Sequence, residues 1–119
     1  MREILFRGKR KDNGKWVKGY YSYETDECSF ELHLISDNKS VVTEVVPETV
    51  GQYIGLKDKN GQKIFEGDIV RDTETSDVGA ICFETNTATF VIEFDSIIVN
   101  FYDYNNGDVE VIGNIYDKL

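Results

Sequence analysis

Apolar and polar residues alternate with a period of two along most of this 119-residue chain. Phe30, Leu32 and Leu34 are interleaved with Ser29, Glu31 and His33. Phe90, Ile92 and Phe94 alternate with Val91 and Glu93, and Ile97, Val99 and Phe101 with Ile98 and Asn100. Val109, Val111 and Ile115 share one parity with Gly113. Successive side chains of a strand point to opposite faces, so this pattern predicts strands with one buried face. No window sets apolar residues at i, i+3, i+4 and i+7 behind a cap. The only helix expected is one turn after Pro47, a residue suited to the first helical position.

Turn signals separate the runs. Asp12-Asn13-Gly14 lies between residues 4–7 and 16–23, and Asp37-Asn38-Lys39-Ser40 between 28–36 and 41–46. Asn60-Gly61 and Asn105-Asn106-Gly107-Asp108 close two more. Asn-Gly is favoured where a hairpin needs positive φ. Residues 72–77, DTETSD, read as an exposed loop. Nine or ten short strands with regular turns predict an all-β protein. That number is too high for one small barrel. Residues 1–52 are therefore expected to form an N-terminal β unit packed on residues 53–119. The five strands from Ile64 onward suit an SH3-like or OB-like barrel.

One stretch, YIGLKDKNGQKIFEGDIVRD at 53–72, concentrates three glycines and two turns. In Asp58-Lys59-Asn60-Gly61 the aspartate can bond its own backbone and the glycine supplies positive φ. Glu66-Gly67-Asp68 then bends into Ile69-Val70, with Gly67 at the bend. Asp58, Asn60, Gly61, Gly67 and Asp68 are thus read as turn architecture. Calcium fails on spacing: with Gly61 at position six of an EF-hand loop, Leu56 is first and Gly67 twelfth. Neither GxGxxG nor GxxxxGK[ST] occurs, so no phosphate loop is expected.

His33, the only histidine, reads as an outward strand residue without a ligand partner. Asp26-Glu27 reads as a solvated turn pair. Cys28 and Cys82 lie 54 positions apart, with no CxxC and no metal spacing, and read as two small buried thiols. No catalytic residue, metal or cofactor is assigned, and the chain is not expected to be an enzyme.

Composition narrows the setting. Apolar residues make up 40% and aromatics 13%, enough for a real core. No apolar run approaches the ~20 residues that span a bilayer. The start, MREILFR, has no apolar core and no small-residue cleavage site. No signal peptide and a cytoplasmic location are therefore expected.

The net charge is −9, unevenly spread. Residues 1–20 hold seven Lys or Arg against two acids, a net of +5. The other 99 residues carry −14. An acidic surface repels phosphate backbones. The basic head is a local exception, with Trp16 and Tyr20 beside Lys9, Arg10, Lys11, Lys15 and Lys18, a mixture able to bind single strands. Tyr20, Tyr21 and Tyr23 cluster in the second strand, and Tyr102, Tyr104 and Tyr116 near the C-terminal hairpin. Alternation turns at least one of Tyr20 and Tyr21 outward, and exposed tyrosine is common at interfaces. The candidate partner-binding residues are Lys9, Arg10, Lys11, Trp16, Tyr20 and Tyr21. Basic head against acidic body also predicts a homo-oligomer.

The order REILFRGK…W…GYY…VPETVGQYIGLKDKNGQKIFEGDIV…EVIGNIYDKL resembles the YopX-like family over essentially the whole chain. The most specific parts are residues 50–70 and 111–117, and residues 72–109 look like a variable middle. The resemblance implies an all-β fold and an origin in phages or prophages of Gram-positive bacteria. It brings no established activity and no catalytic residues. The leading expectation is a non-enzymatic phage accessory protein that binds another macromolecule, with a protein partner ahead of nucleic acid and no membrane. The alternatives are nucleic-acid binding through the basic head and acidic mimicry of DNA against a host protein.

Overall fold

A computed structural model describes residues 3–95, 97–101 and 108–117 of the chain. Those residues are all-β, with eleven strands and one 3-10 turn. They fall into two compact units, Met1–Tyr53 and Ile54–Leu119.

The first unit contains β1 (Phe6–Lys9), β2 (Trp16–Thr25), β3 (Glu31–Ser36), β4 (Val42–Glu44), a 3-10 turn (Pro47–Thr49) and the start of β5 (Gly51–Lys57). All ladders are antiparallel, in the order β4-β3-β2-β1-β5. β2 serves two partners in succession: Trp16–Gly19 pair with β1, and Tyr20–Thr25 pair with β3. The change of partner falls at Gly19. A Cβ there would stand 2.1 Å from the Ser36 carbonyl oxygen, so only glycine fits where the strand changes partner. Beyond β4 the chain returns to β1. Arg10 and Val45 form a single bridge, flanked by hydrogen bonds from the Lys11 N–H to the Glu44 oxygen (3.0 Å) and from the Val46 N–H to the Lys9 oxygen (2.8 Å). The enclosed interior is small, with Ile35 and Val45 both 1% exposed. Pro47 opens the 3-10 turn, and Thr49 ties that turn to β1 by accepting the Lys9 N–H at 2.9 Å.

The second unit holds the rest of β5, then β6 (Lys63–Phe65), β7 (Asp68–Asp72), β8 (Val78–Glu84), β9 (Thr89–Glu93), β10 (Ile98–Asn100) and β11 (Val109–Asn114). Five of these form one antiparallel sheet, β10-β9-β8-β7-β11. Ile54, Ile64, Val70, Ile81, Phe90, Ile92, Phe101 and Val109 pack into one core cluster. The expected barrel is not there. Among the described residues no ladder joins β10 to β11, so the sheet stays open. Period-two alternation reports a buried face, which an open sheet provides as well as a closed one.

Two further expectations are corrected. The strand predicted at 28–36 buries the opposite parity: Ile35 is in the core, while Phe30 is 69% exposed and Leu32 and Leu34 are half-buried. The reason is pairing, because β2 sets Tyr21 against Ile35 and that pair faces the interior. The cysteines are not buried: Cys28 is exposed at a hairpin tip and Cys82 is half-exposed. The third run of alternation, Ile97, Val99 and Phe101, buries only Phe101. Tyr102, Tyr104 and the 105–107 part of the last turn lie outside the described residues.

Two loop designs recur. In 26–30 (DECSF), 37–41 (DNKSV) and 58–62 (DKNGQ) the first and fifth residues pair, and the fourth has positive φ: Ser29 66°, Ser40 64° and Gly61 79°. The leading aspartate Oδ1 accepts two backbone N–H groups each time, at 2.9 Å. In 10–15 and 72–77 the pairing spans six residues, with Gly14 and Ser76 at positive φ.

The second unit also explains the glycine-rich stretch. Asp58 turns its other oxygen to β11, where the Val111 N–H donates at 2.9 Å, and the Lys59 N–H donates to the Val109 oxygen. Burial pushes the Asp58 carboxyl up, but the N–H groups of Val111, Gln62 and Asn60, with Lys59 nearby, outweigh it. Its pKa lies below the usual carboxylate range. Gly67 has φ of +92°, its carbonyl accepts the Ile115 N–H, and a Cβ on it would meet Tyr116 Cε2 at 2.8 Å. Buried Asp68 accepts the Phe65 N–H at 2.8 Å. Residues 58–68 and 109–116 are thus one construction, although more than forty positions separate them.

Candidate functional site

The feature of the first unit that is not committed to its core is the outer half of the β2–β3 hairpin. Aromatic and β-branched residues favour strand there, and the loop 26–30 closes it with the aspartate device described above. Tyr20 pairs with Ser36, Ser22 with Leu34, Tyr23 with His33 and Thr25 with Glu31. Tyr20, Tyr23 and Phe30 are 67%, 57% and 69% exposed. Tyr20 lies on one face of β2 and Tyr23 on the other, so the hairpin presents aromatic surface on both sides.

On the face shared with Ile35, the hairpin carries a compact polar–aromatic group. The Tyr21 hydroxyl lies 2.5 Å from His33 Nδ1, and Glu31 Oε2 lies 3.5 Å from Nε2. A proton on Nε2 facing the carboxylate leaves Nδ1 to accept from Tyr21. The imidazole stacks on Tyr21 and on Tyr23, with ring centroids 5.9 and 5.6 Å away. Phe6 packs against Tyr21 at 5.7 Å. His33 is therefore not the outward residue expected; its side chain is 18% exposed and meets Tyr21, Tyr23 and Glu31. Burial, then the charge of Glu31 and the neighbouring Tyr23, raises the Tyr21 pKa. A phenol with a raised pKa stays neutral, and its contact with His33 joins β2 to β3. Among the described residues, no three His, Cys, Asp or Glu side chains are grouped to hold a metal.

The six candidate binding residues divide. Lys9 and Trp16 are cross-strand partners, and Tyr20 lies on the same face of β2 as Trp16. Tyr21 is on the other face. Trp16 is already occupied: the Arg7 guanidinium carbon sits 4.6 Å from its ring centroid and Lys9 Nζ 5.5 Å from it. Arg10 makes two bonds to Asp12 (3.0 and 2.8 Å), and Lys11 pairs with Glu44 at 3.1 Å. Arg10, Lys11 and Asp12 also line an open groove of about 310 Å³ with residues 41–44. Arg10 and Lys11 of the basic head are thus each paired with an acid of the first unit.

Sequence reading missed Tyr23 and Phe30 as surface residues. It also missed the Tyr21–His33–Glu31 group, whose members meet only through the β2–β3 register. One signal was available: residues 19–38 contain five acids and no Lys or Arg, beside a head that is strongly basic.

Fold and site together define a two-unit, all-β protein with an exposed aromatic hairpin in its first unit. A family model described as YopX protein matches residues 5–118, and the chain belongs to the YopX family. A search among curated proteins found no match.

Proposed function

We propose that the chain is a non-enzymatic accessory protein of a phage or prophage. It works in the host cytoplasm by binding another macromolecule, a protein, through the outer half of the β2–β3 hairpin. The observation that carries this reading is the exposure of Tyr20, Tyr23 and Phe30 on one hairpin. Aromatic anchors of this kind supply much of the affinity of protein interfaces. Family membership supports the phage setting, and no helix among the described residues is long and apolar enough to cross a membrane. Protein is favoured over nucleic acid because Trp16, Arg10 and Lys11 already have partners within the first unit.

Affinity capture from phage-infected cells tests the reading. The wild type should retain a partner that a Tyr20→Ser/Tyr23→Ser/Phe30→Ser variant with an unchanged circular dichroism spectrum loses. Equal capture by both overturns the assignment of the surface. Binding to a single-stranded oligonucleotide at low salt, falling steeply as salt rises, would instead favour the basic head.

A further inference from the structure

We infer that the open edge of β2 along Tyr20–Thr25 takes up a basic, extended segment of a partner protein as an added strand. The inference rests on the macromolecule-binding reading above and gives that partner its chemistry. β1 pairs with β2 only as far as Gly19, so among the described residues positions 20–25 pair with β3 on one edge and with no strand on the other. Six residues make about 20 Å of strand.

Proteins usually protect such an edge with lysine, proline or a bulge. YYSYET contains neither residue, and its ladder with β3 runs through six consecutive pairs without a register shift. It is also rich in strand-forming aromatics. The edge is held ready by the loop at Asp26 and by the Tyr21–His33–Glu31 group, so little ordering remains to be done on binding. Strand addition draws affinity from main-chain hydrogen bonds and specificity from alternate side chains. An incoming strand would meet Tyr20, Ser22 and Glu24 on one face and Tyr21, Tyr23 and Thr25 on the other.

Charge selects the occupant. Glu24, Asp26, Glu27, Glu31 and Asp37 stand in a twenty-residue stretch without a single Lys or Arg. Complementarity asks for a cationic segment. A second copy of this chain carries the same acidic stretch on its own β2 edge, so pairing edge to edge sets like charges together.

The test uses full-length protein and fluorescence anisotropy with a labelled seven-residue peptide alternating Lys and Val. Saturable binding is expected, with at least tenfold weaker binding of the Glu–Val counterpart. Glu24→Lys/Glu27→Lys, neither residue being part of the His33 group, should lose at least tenfold as well. N-methylation at alternate peptide residues should also cost tenfold or more, because an added strand needs those N–H groups. Equal binding of the methylated peptide, or no binding of the parent, overturns strand addition. So does a wild type that sediments as an oligomer and becomes a monomer on Ser22→Pro, which would assign the edge to a second copy. A partner captured from cells and retained by Glu24→Lys/Glu27→Lys would overturn this inference alone and leave the macromolecule-binding reading standing.

Discussion

From Ile54 to Val109, eight apolar side chains form one buried cluster. Before Ile54, among the described residues, only Ile35, Val45 and Tyr53 are buried apolar residues, and Arg7 and Thr49 share the interior with them. The second unit is organised by the burial of branched and aromatic side chains. The first is organised by close backbone approach. Gly8 faces Ile35 and Val45 at 3.2 Å from where a Cβ would be, and Gly19 faces the Ser36 carbonyl at 2.1 Å. What the first unit lacks in core it shows on its surface, as Tyr20, Tyr23 and Phe30. A small core leaves little margin for strain, and the same aromatic residues that could have enlarged it are turned outward.

That contrast can be broken most severely at Gly19. Gly19→Ala is expected to destabilise by about 3 kcal/mol or more, because the clash is with backbone and no side chain can move aside. Denaturant unfolding measures it; a midpoint equal to wild type would show that the approach of β2 to Ser36 tolerates a Cβ. Next comes Asp58 in the second unit. Asp58→Ala leaves the N–H groups of Asn60, Gln62 and Val111 without their acceptor and should cost about 1–3 kcal/mol near pH 7. Its sign with pH follows from the lowered carboxyl pKa. The stabilisation is fully present above the unfolded value of about 3.9 and is lost as pH falls through the lower folded value. The difference between wild type and variant should therefore shrink as pH falls below about 4. A constant difference would mean that the carboxylate charge is not what holds the turn to β11.

Gly67→Val should cost roughly 1–3 kcal/mol from its positive φ, with Tyr116 having to move as well. The paired variant Tyr116→Ala separates the two causes: if it restores stability to the Gly67→Val protein, the ring rather than the backbone sets the cost. The smallest effect is a gain. Ser40→Gly replaces a left-handed serine in an exposed loop and should stabilise by about 0.5–1 kcal/mol, relief of αL strain less the entropy of glycine. A loss of stability there would show that the serine side chain, and not only the loop geometry, supports the first unit.

Strand existence was legible because the period of two is a local property of extended backbone. Phe90 and Ile92 alternate in sequence and are buried in the core, but Val91 between them is buried as well, so the pattern marked the strand and not a single buried face. The turns were legible for the same reason, since Asp58 bonds N–H groups two and four residues ahead. The candidate site was read in part. Tyr20 does face outward, but Arg10 is held by Asp12 two residues on, Trp16 by Arg7 and Lys9 across the ladder, and Lys11 by Glu44, a neighbour that sequence distance hides.

What the chain determined by itself is therefore its all-β character, its turn chemistry and the charge contrast between residues 1–20 and the rest. Tertiary structure alone decided that Ile35 rather than Leu34 enters the interior, that His33 is held by Tyr21 and Glu31, and that the second sheet stays open. It also decided that Asp58 and Gly67 serve β11 and the residues just beyond it. Each of these depends on the register between segments far apart in the chain. Register is set by the summed burial and hydrogen bonding of whole strands, and a shift of one residue would exchange every buried side chain for an exposed one.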